Sequence, residues 1–415
     1  MRALLEESFR AAVAAADPRR IMGPQLPPPP RGRTLVAAAG KAAAAMALAV
    51  ETHWPAAAPL EGIAITRYGH GLATRRIRVV EAGHPVPDEA GEAAAREILQ
   101  KTRELGTDDL LLALLSGGGS SLLSLPAAGI RMADLKTVTQ QLLNSGAAIQ
   151  EMNAVRKHLS AIHGGRLAAA SRAPVVALII SDVTGDDPTH IASGPCTPDP
   201  TTYADALAIL RRYRVTPPAS VKARLEGGAD ETPKPGDPVF AKVQNKVVAT
   251  AHRSLEAAAE VFARQGITPV ILGDTITGEA AEVAKVMAAL VREIKTHGNP
   301  WKPPVALISG GECTVTIRSE GGRGGRCAEF LLSLGIETGG VWAIAADTDG
   351  IDGSEDNAGA VLSPDSLQRA SLQGLSARAL LANNDSYGFF STLADLVTTG
   401  PTRTNVNDYR AIVVP

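Results

Sequence analysis

The sequence predicts an α/β protein with a mostly parallel, doubly wound sheet, and three observations carry this prediction. Apolar strand candidates alternate with helix candidates, as in TLVAAAG followed by KAAAAMALAVETH. The strand candidates are apolar throughout, as expected for strands buried on both faces of a parallel sheet. Aromatic residues make up 3% of the chain and hydrophobic residues 45%, so the cores must consist of Ala, Leu, Val and Ile.

The chain of 415 residues is long enough for two domains. Its clearest break is the polar, Gly- and Pro-rich segment LEGGADETPKPGDP, which predicts a linker at residues 229–242. Residues 1–228 are then expected to form a Rossmann-like domain, and residues 243–415 a smaller α/β domain. We expect the active site in the cleft between the two domains.

The elements can be assigned in order from apolar runs, helix-forming stretches and the glycines or prolines that end them. An amphipathic helix ends at Pro18 and precedes a Pro-rich connector. Strands are predicted at 34–40, 62–67, 77–83, 109–115, 173–183, 246–250, 268–272, 304–309, 313–318, 341–346 and 411–414. Helices are predicted at 41–53, 88–104, 132–170 with glycine breaks, 252–265, 278–295 and 327–334.

Composition excludes several classes of protein. The formal net charge of -2 gives no reason to expect nucleic acid or a membrane surface as a partner. The three cysteines show neither CxxC nor metal spacing, which fits a reducing compartment. The N-terminus lacks the apolar core of a signal peptide, and the apolar run at 34–50 is interrupted by Lys41. We therefore expect a soluble, cytoplasmic protein.

Unusual residues follow strand after strand, and ligands of open parallel sheets gather at the carboxyl ends of the strands. Lys41 follows the first strand directly after Gly40. It is not part of a Walker motif, because Leu35 and Ala42 stand where that motif needs Gly and Ser or Thr. A lysine at a strand–helix corner opposes the helix dipole, so we expect a catalytic role for Lys41.

A second loop, SGGGSS at residues 116–121, joins a buried strand to a helical segment. Three consecutive glycines exceed what a tight turn needs, and bare amides with two hydroxyls bind carboxylate or phosphate well. The sequence thus predicts an anion-binding loop formed by Ser116, Gly117, Gly118, Gly119 and Ser120.

Two clusters of carboxylates also follow strands. Asp182 and Asp186 lie in SDVTGDDP, and Asp347 and Asp349 lie in DTDGIDG. Magnesium that carries nucleotide phosphates needs one or two carboxylates and keeps several waters, so these four residues are the predicted metal ligands. Ile351 stands where an EF-hand needs an oxygen ligand, which excludes a calcium loop of that type.

Residues 309–329, SGGECTVTIRSEGGRGGRCAE, combine bare amides with guanidinium groups and predict a second anion site. Arg323 lies among glycines, whereas Arg326 leads directly into a helix and has a positioned backbone. We therefore expect Arg326 to contact a transferring phosphoryl group. Gly325 and Glu312 are expected to bind substrate or phosphate beside it.

Two other chemistries receive less support. A triad of Ser120, His84 and Asp182 is conceivable, but the G-x-S-x-G elbow is missing. Neither AAGKAAAAMA nor SGGGSS provides the G-x-G-x-x-G fingerprint of dinucleotide-binding folds.

Taken together, these motifs resemble the class II glycerate 2-kinases, a two-domain family whose C-terminal half is called the MOFRL domain. The resemblance runs essentially end to end, through GKAAAAMA, EAGHPVPDEAG, LLSGGGSSLL, NAVRKHLSAIHGGRLA, SDVTGDDPTHIASGPCTPDP, ETPKPGD, SGGECTVTI, GGRCAEF and AADTDGIDG. One departure is GGRCAE where the family commonly has GGRNQE, so Cys327 and Ala328 replace two amide side chains.

The resemblance implies ATP-dependent phosphorylation of D-glycerate at its 2-hydroxyl, with Mg²⁺ as cofactor and Lys41 and Arg326 as central residues. Direct in-line transfer is the expected mechanism, with Asp182, Asp186 or Glu312 accepting the hydroxyl proton. A homodimer is compatible with the family. Two alternatives remain open: an NAD(P)H-dependent hydroxypyruvate reductase, a name often given to this family, and a non-catalytic sugar-acid-binding protein.

Overall fold

The computed structural model describes residues 1–228, 230–318 and 321–415. Ala229 of the predicted linker and Ser319 and Glu320 of the predicted second anion site lie outside the described residues. The chain divides into two compact units. We call Pro18–Val248 the N-terminal unit, and Met1–Asp17 together with Ala249–Pro415 the C-terminal unit.

The strands are β1 Thr34–Ala39, β2 Leu60–Arg67, β3 Ile77–Ala82, β4 Leu110–Leu115, β5 Val175–Ile180, β6 Val243–Ala249, β7 Thr268–Gly273, β8 Gly278–Glu279, β9 Val305–Ser309, β10 Cys313–Thr314, β11 Trp342–Asp347, β12 Gly359–Leu362, β13 Leu396–Val397 and β14 Asp408–Val414. The helices are α1 Arg2–Ala15, α2 Pro18–Ile21, α3 Ala43–His53, α4 Glu89–Arg103, α5 Gly119–Leu122, α6 Met132–Asn144, α7 Ile149–His158, α8 Arg166–Ala169, α9 Tyr203–Arg212, α10 Ala219–Gly227, α11 Ala251–Ala263, α12 Ala280–His297, α13 Arg326–Thr338, α14 Ser366–Leu372, α15 Ala377–Ala382 and α16 Ser386–Thr392. Short 3₁₀ turns lie at Gly23–Gln25, Ile191–Ser193 and Pro238–Lys242.

The N-terminal unit is built on a sheet with the strand order β3-β2-β1-β4-β5-β6. The pairs from β3 to β5 are all parallel, in the register Val36↔Gly62 and Val36↔Leu112 at the centre. Every residue of β1, β4 and β5 is buried, as their unbroken apolar sequences require. The predicted Rossmann-like parallel sheet is therefore confirmed.

The C-terminal unit contains a mixed sheet with the strand order β13-β12-β11-β14-β9-β7. Only β7 and β9 pair in parallel; β14 runs antiparallel to both β9 and β11. Antiparallel pairing places the start of one strand beside the end of its neighbour. Asp347 at the end of β11 consequently faces Asp408 at the start of β14.

The unit boundaries differ from the predicted domains. Helix α1 belongs to the C-terminal unit, because Leu5, Phe9 and Ala12 pack in one core with Leu255 and Tyr409. Strand β6 lies next to β5 at the edge of the N-terminal sheet, although the sequence assigns it to the second domain. A polar, Gly- and Pro-rich segment indicates an exposed connection. Here that connection leads into an edge strand of the same unit and not into a second domain.

The predicted strand at 313–318 is much shorter than expected. Only β10 is regular, and it pairs in parallel with β8 through Cys313↔Gly278 and Thr314↔Glu279. The alternation of residues 315–318 indicated a strand, but in the part of the chain that the structure describes no strand continues past β8 to pair with them. Within the described residues, none of the helices combines the length and apolarity needed to span a bilayer.

Candidate active site

Two turns of the N-terminal unit are hydrogen-bonded to each other at the carboxyl ends of the adjacent strands β1 and β4. We call residues 40–42 the Lys41 turn and residues 116–121 the Gly-Ser loop. The Lys41 N–H donates to the Gly117 carbonyl at 2.8 Å, and the Ala42 N–H donates to Ser116 Oγ at 3.0 Å. The predicted proximity of Lys41 to the glycine loop thus follows from their positions on neighbouring parallel strands.

Close backbone packing explains two of the glycines. Gly40 has a φ of 130°, and an added Cβ would lie 2.1 Å from Ser116 Oγ. Gly118 has a φ of 80°, and its Cβ would lie 2.9 Å from His84 Nε2 and 3.5 Å from Lys41 Cγ. Glycine is required at both positions by conformation and by space. The loop backbone at Gly118 therefore lies next to both the His84 ring and the Lys41 side chain.

The predicted anion-binding residues take different roles. Ser116 is fully buried, and its hydroxyl holds the Lys41 turn, so the prediction that it binds an anion is replaced by a structural role. Gly118 is the residue before the one-turn helix α5, and Gly119 begins that helix. An added Cβ at Gly119 would lie 2.6 Å from Ala192 Cβ, so this glycine allows another segment to approach.

Ser120 begins a chain of buried polar groups. Its hydroxyl lies 2.8 Å from Ser193 Oγ, and Ser193 donates to Asn153 Oδ1 at 3.1 Å. Ala192 and Ser193 have φ values of 51° and 56°, a left-handed conformation that is costly for residues other than glycine. Such strain is concentrated at functional sites. Ser120, a member of the conceivable triad with His84 and Asp182, thus contacts a second serine.

Asp182 follows β5 by two residues and is half-buried at the same edge of the sheet. Asp186 lies in a left-handed turn with a φ of 54°, and its N–H donates to the Val183 carbonyl. Asp187 accepts from the Thr189 N–H at 2.8 Å and so stabilises the turn that follows. Asp182 is thus the best-placed carboxylate of this segment for a metal-bound phosphate.

The C-terminal unit holds Arg326 in an ion-pair cluster. Its Nε donates to Asp408 Oδ1 at 2.8 Å, and its Nη2 donates to Asp347 Oδ2 at 2.7 Å. Glu312, more than half exposed, lies 3.5 Å from the same Nη2. Burial opposes the charge of Arg326, but Asp408 and Asp347 outweigh it and raise the pKa of the guanidinium. Arg326 therefore remains positively charged and is held in one orientation.

The same contacts argue against Asp347 and Asp349 as magnesium ligands. Asp347 Oδ2 is occupied by a guanidinium, and its Oδ1 accepts from the Asp349 N–H at 2.9 Å. Asp349 in turn accepts from the Ile351 N–H at 2.9 Å. In the described ranges, no three His, Cys, Asp or Glu side chains gather in an arrangement that would hold a metal ion. The magnesium prediction therefore rests on Asp182, since Mg²⁺ on nucleotide phosphates needs few protein ligands.

The start of α13 differs from the predicted array of bare amides. The N–H groups of Cys327 and Ala328 donate to the two carboxylate oxygens of Asp352 at 3.0 and 2.8 Å. An added Cβ at Gly325 would lie 2.1 Å from Asp352 Oδ1, so glycine there makes room for this carboxylate. The chain's own acid thus occupies the helix N-terminus, and the role predicted for Gly325 in anion binding changes to a packing role.

Comparisons with known proteins agree over almost the whole chain. Residues 4–226 match the family described as Domain of unknown function (DUF4147), and residues 305–408 match the MOFRL family. Glycerate 2-kinase of Pyrococcus horikoshii is 40% identical over 92% of this chain and 88% of its own length. The crystal structure of glycerate kinase from Thermotoga maritima is similar with a TM-score of 0.89 at 35% identity, covering 100% of this chain and 99% of that one.

The chain belongs to the class II glycerate kinase family. A relative in Agrobacterium vitis, 52% identical over 100% of this chain and 94% of its own length, carries the provisional name hydroxypyruvate reductase. D-glycerate 2-kinase of Thermotoga maritima is 37% identical over 98% of this chain and 97% of its own length. Both names therefore occur among relatives that match this chain along nearly its full length.

In this member of the glycerate kinase family, the sequence pattern did not indicate the residues that position Ser120 and Arg326. Asn153 and Ser193 orient Ser120, while Asp408 and Asp352 complete the surroundings of Arg326. A signal was available for Asp408, because DYRAIVV begins an otherwise apolar strand with opposite charges. Asn153 lies in a helix whose residues 152–155 are all buried, and a buried amide there indicates a polar contact.

Proposed function

We propose that this protein transfers the terminal phosphoryl group of ATP to the 2-hydroxyl of D-glycerate, producing 2-phosphoglycerate. The observation that carries the proposal is the Lys41 turn, which is hydrogen-bonded to the Gly-Ser loop at the carboxyl ends of β1 and β4. It occurs in a chain 40% and 37% identical to glycerate 2-kinases. A lysine beside a glycine-rich loop suits a group on which negative charge develops during the reaction.

In this proposal Lys41 neutralises the transferring phosphoryl group while the amides of the Gly-Ser loop hold an anion. Bound Mg²⁺ would neutralise charge on the nucleotide phosphates, and Asp182 is the residue that would hold it. Asp182 is also our candidate for accepting the proton of the 2-hydroxyl, with Asp186 and Glu312 as the alternatives. In this in-line transfer the protein mainly positions the reacting groups and neutralises their charge, as is general for phosphoryl transfer.

Arg326 has the second cationic role in the proposal. Asp347 and Asp408 engage its Nε and Nη2, which leaves Nη1 as the nitrogen without a described hydrogen bond. Asp347 and Asp408 offset the positive charge of Arg326, so we expect the guanidinium to orient a phosphate oxygen more than to supply net charge. Replacing it by lysine would lose the fixed planar donor geometry.

Hydroxypyruvate reduction is the competing function, because the relative 52% identical carries that name. The G-x-G-x-x-G fingerprint is missing after the strands of the parallel sheet, and this argues against a dinucleotide. Two coupled assays on the same preparation separate the functions. We expect ADP release that depends on glycerate and no consumption of NADH or NADPH with hydroxypyruvate. The reverse pattern would overturn the proposal.

Lys41→Ala tests the role of the lysine. Removing one preorganised charge at the reacting group should lower kcat by about 100-fold or more. The control is Lys222→Ala, an exposed lysine of α10. Circular dichroism should show that both variants are folded. Normal turnover by Lys41→Ala would refute the role assigned to this residue while leaving the reaction itself unchanged.

A further inference from the structure

Arg156 lies on the wall of a pocket of about 170 Å³ within the N-terminal unit. Ser120 and Ser121 of the Gly-Ser loop line the same pocket. Its other walls are largely apolar and include Val86 and Leu135. The volume corresponds to about six water molecules at roughly 30 Å³ each. The pocket is therefore smaller than the cavities that take drug-sized ligands and suits a molecule of a few heavy atoms.

The charges around this pocket are all of one sign. Arg156 and Lys136 line it, whereas no Asp or Glu does among the described residues. The one described hydrogen bond of the Arg156 guanidinium goes to a neutral group, Asn153 Oδ1, at 2.6 Å. The next residue in the chain, buried Lys157, is paired with an acid instead, because its Nζ lies 3.4 Å from the carboxylate of Asp199. A guanidinium paired only with an amide keeps its full charge for an incoming anion.

Arg156 is also connected to the loop that carries the proposed chemistry. Asn153 Oδ1 accepts from both Arg156 Nη1 and Ser193 Oγ, and Ser193 contacts Ser120. The guanidinium and the Ser120 hydroxyl are thus positioned by the same buried amide. This shared acceptor fixes the position of the guanidinium on the pocket wall beside Ser120, and a fixed guanidinium is a suitable partner for a small carboxylate.

The burial of nearby groups agrees with an uncompensated positive charge. Burial lowers the pKa of Arg156 to about 10, and the group is still protonated at neutral pH. Burial, followed by the charges of Arg156 and Lys157, lowers the pKa of the neighbouring His163 to about 3. The imidazole is therefore neutral, and the positive charge at the pocket comes from Arg156 and Lys136.

We propose that Arg156 binds the carboxylate of the small hydroxy acid that this protein phosphorylates. The inference rests on the proposed function and adds the residue that selects an acid over a neutral polyol. A single guanidinium beside hydroxyls matches a carboxylate, and the limited volume admits a three-carbon chain. The carboxylate end would lie in the pocket while the rest of the substrate extends toward the Gly-Ser loop.

The test compares wild type, Arg156→Gln and Arg156→Lys in glycerate kinase assays. Losing a charge-assisted hydrogen bond should raise KM for glycerate by about 10- to 100-fold in Arg156→Gln, with a smaller rise in Arg156→Lys. KM for ATP should stay within twofold. The control is Arg211→Gln, an exposed arginine of α9 that should leave both constants unchanged.

A neutral analogue of glycerate provides a second measurement, the preference for the acid over the amide. A general loss of structure would not change this preference. Wild type should prefer glycerate to glyceramide strongly, and Arg156→Gln should lose most of that preference. A raised KM for ATP with an unchanged KM for glycerate would instead assign the pocket to a phosphate and overturn the inference. An unchanged preference for the acid would also overturn it.

Failure of the proposed function has a different signature. If wild type does not turn over glycerate with Mg-ATP, the kinase proposal fails, and calorimetric titration of wild type and Arg156→Gln with glycerate still tests the pocket. Weaker binding of glycerate by Arg156→Gln would support the inference, and equal binding would refute it.

Discussion

Arg326 combines a proposed role in chemistry with a structural one. Its side chain is 19% exposed, and its two carboxylate partners, Asp347 and Asp408, are 2% and 0% exposed. Removing one member of a buried ion-pair cluster leaves the other charges without compensation, which costs more than the pair itself contributes. Arg410 also pairs with Asp408 at 2.9 Å, so that carboxylate would retain one partner.

Arg326→Ala should therefore reduce stability as well as activity. We expect the free energy of unfolding to fall by about 3 kcal/mol, chiefly because Asp347 loses its guanidinium. Urea denaturation of the purified variant measures this change. The matched control is Arg323→Ala, since Arg323 is 55% exposed and its loss should cost about 1 kcal/mol or less. Equal stability of the two variants would contradict the structural role.

Asp352 is a buried acid whose protonation is linked to folding. Burial raises the pKa of its carboxyl to about 6, even though two backbone N–H groups favour the ionised form. Its ordinary value is 3.8, so the unfolded chain releases this proton at lower pH than the folded protein does. The contribution of Asp352 to stability is thus fully present below about pH 4 and is lost as the pH rises through about 6.

This linkage predicts a pH-dependent difference between wild type and Asp352→Asn. As the pH falls from 7 to 4, wild type should gain up to about 3 kcal/mol of stability relative to the variant, because a shift of one pKa unit is worth about 1.4 kcal/mol. Denaturation curves at half-unit pH intervals measure the difference. Glu260→Gln on the exposed face of α11 is the control. A flat difference for Asp352→Asn would show that its carboxyl does not titrate in this window.

At the scale of residues, the local sequence pattern singled out two candidate site residues but not the side chains that hold them in place. Each of the two follows a glycine, Lys41 in the turn before α3 and Arg326 as the first residue of α13, so their positions could be recognised. Asp408 could not be assigned to Arg326, because their contact depends on antiparallel pairing of β14 with β11. Arg156 was equally hidden, since the pocket beside it is formed by segments distant in sequence.

At the scale of elements, α1 shows how an amphipathic helix can be identified correctly and still be placed in the wrong unit. Its apolar face contributes Leu5, Phe9 and Ala12 to a core that also contains Leu255 and Phe262 of α11. The Tyr409 hydroxyl donates to Ser8 Oγ at 2.7 Å, which connects the helix to β14. Periodicity predicts that a helix buries one face, but it does not identify the surface that covers that face.

Phe9→Ala should consequently destabilise the C-terminal unit. Removing a fully buried phenyl ring leaves a cavity and should cost about 3–5 kcal/mol. Hydrogen exchange followed by mass spectrometry should show lost protection in β11 and β14, with β1 and β4 much less affected. Glu7→Ala, on the exposed face of the same helix, is the control. Equal loss of protection in β1 and β4 would contradict the assignment of α1.

At the scale of the whole molecule, two α/β units with an N-terminal parallel sheet could be predicted because unbroken apolar strands and alternating helices are local signals. The mixed sheet of the C-terminal unit could not, since β11, β12 and β14 are almost as completely buried as the parallel strands of the other unit. Strand direction there depends on connections, and the sequence pattern carries little information on those.

The position of α1 also has a consequence for biosynthesis. Ser8 and its partner Tyr409 are separated by 401 residues, so the ribosome adds about 400 residues after α1 before the β14 part of its binding surface exists. At translation rates of 5–20 residues per second, this interval is roughly 20–80 s. The N-terminal sheet can form during that time, whereas the core around the apolar face of α1 is incomplete until β14 has been added. Nascent chains of this protein should therefore engage chaperones through their first seventeen residues until synthesis ends.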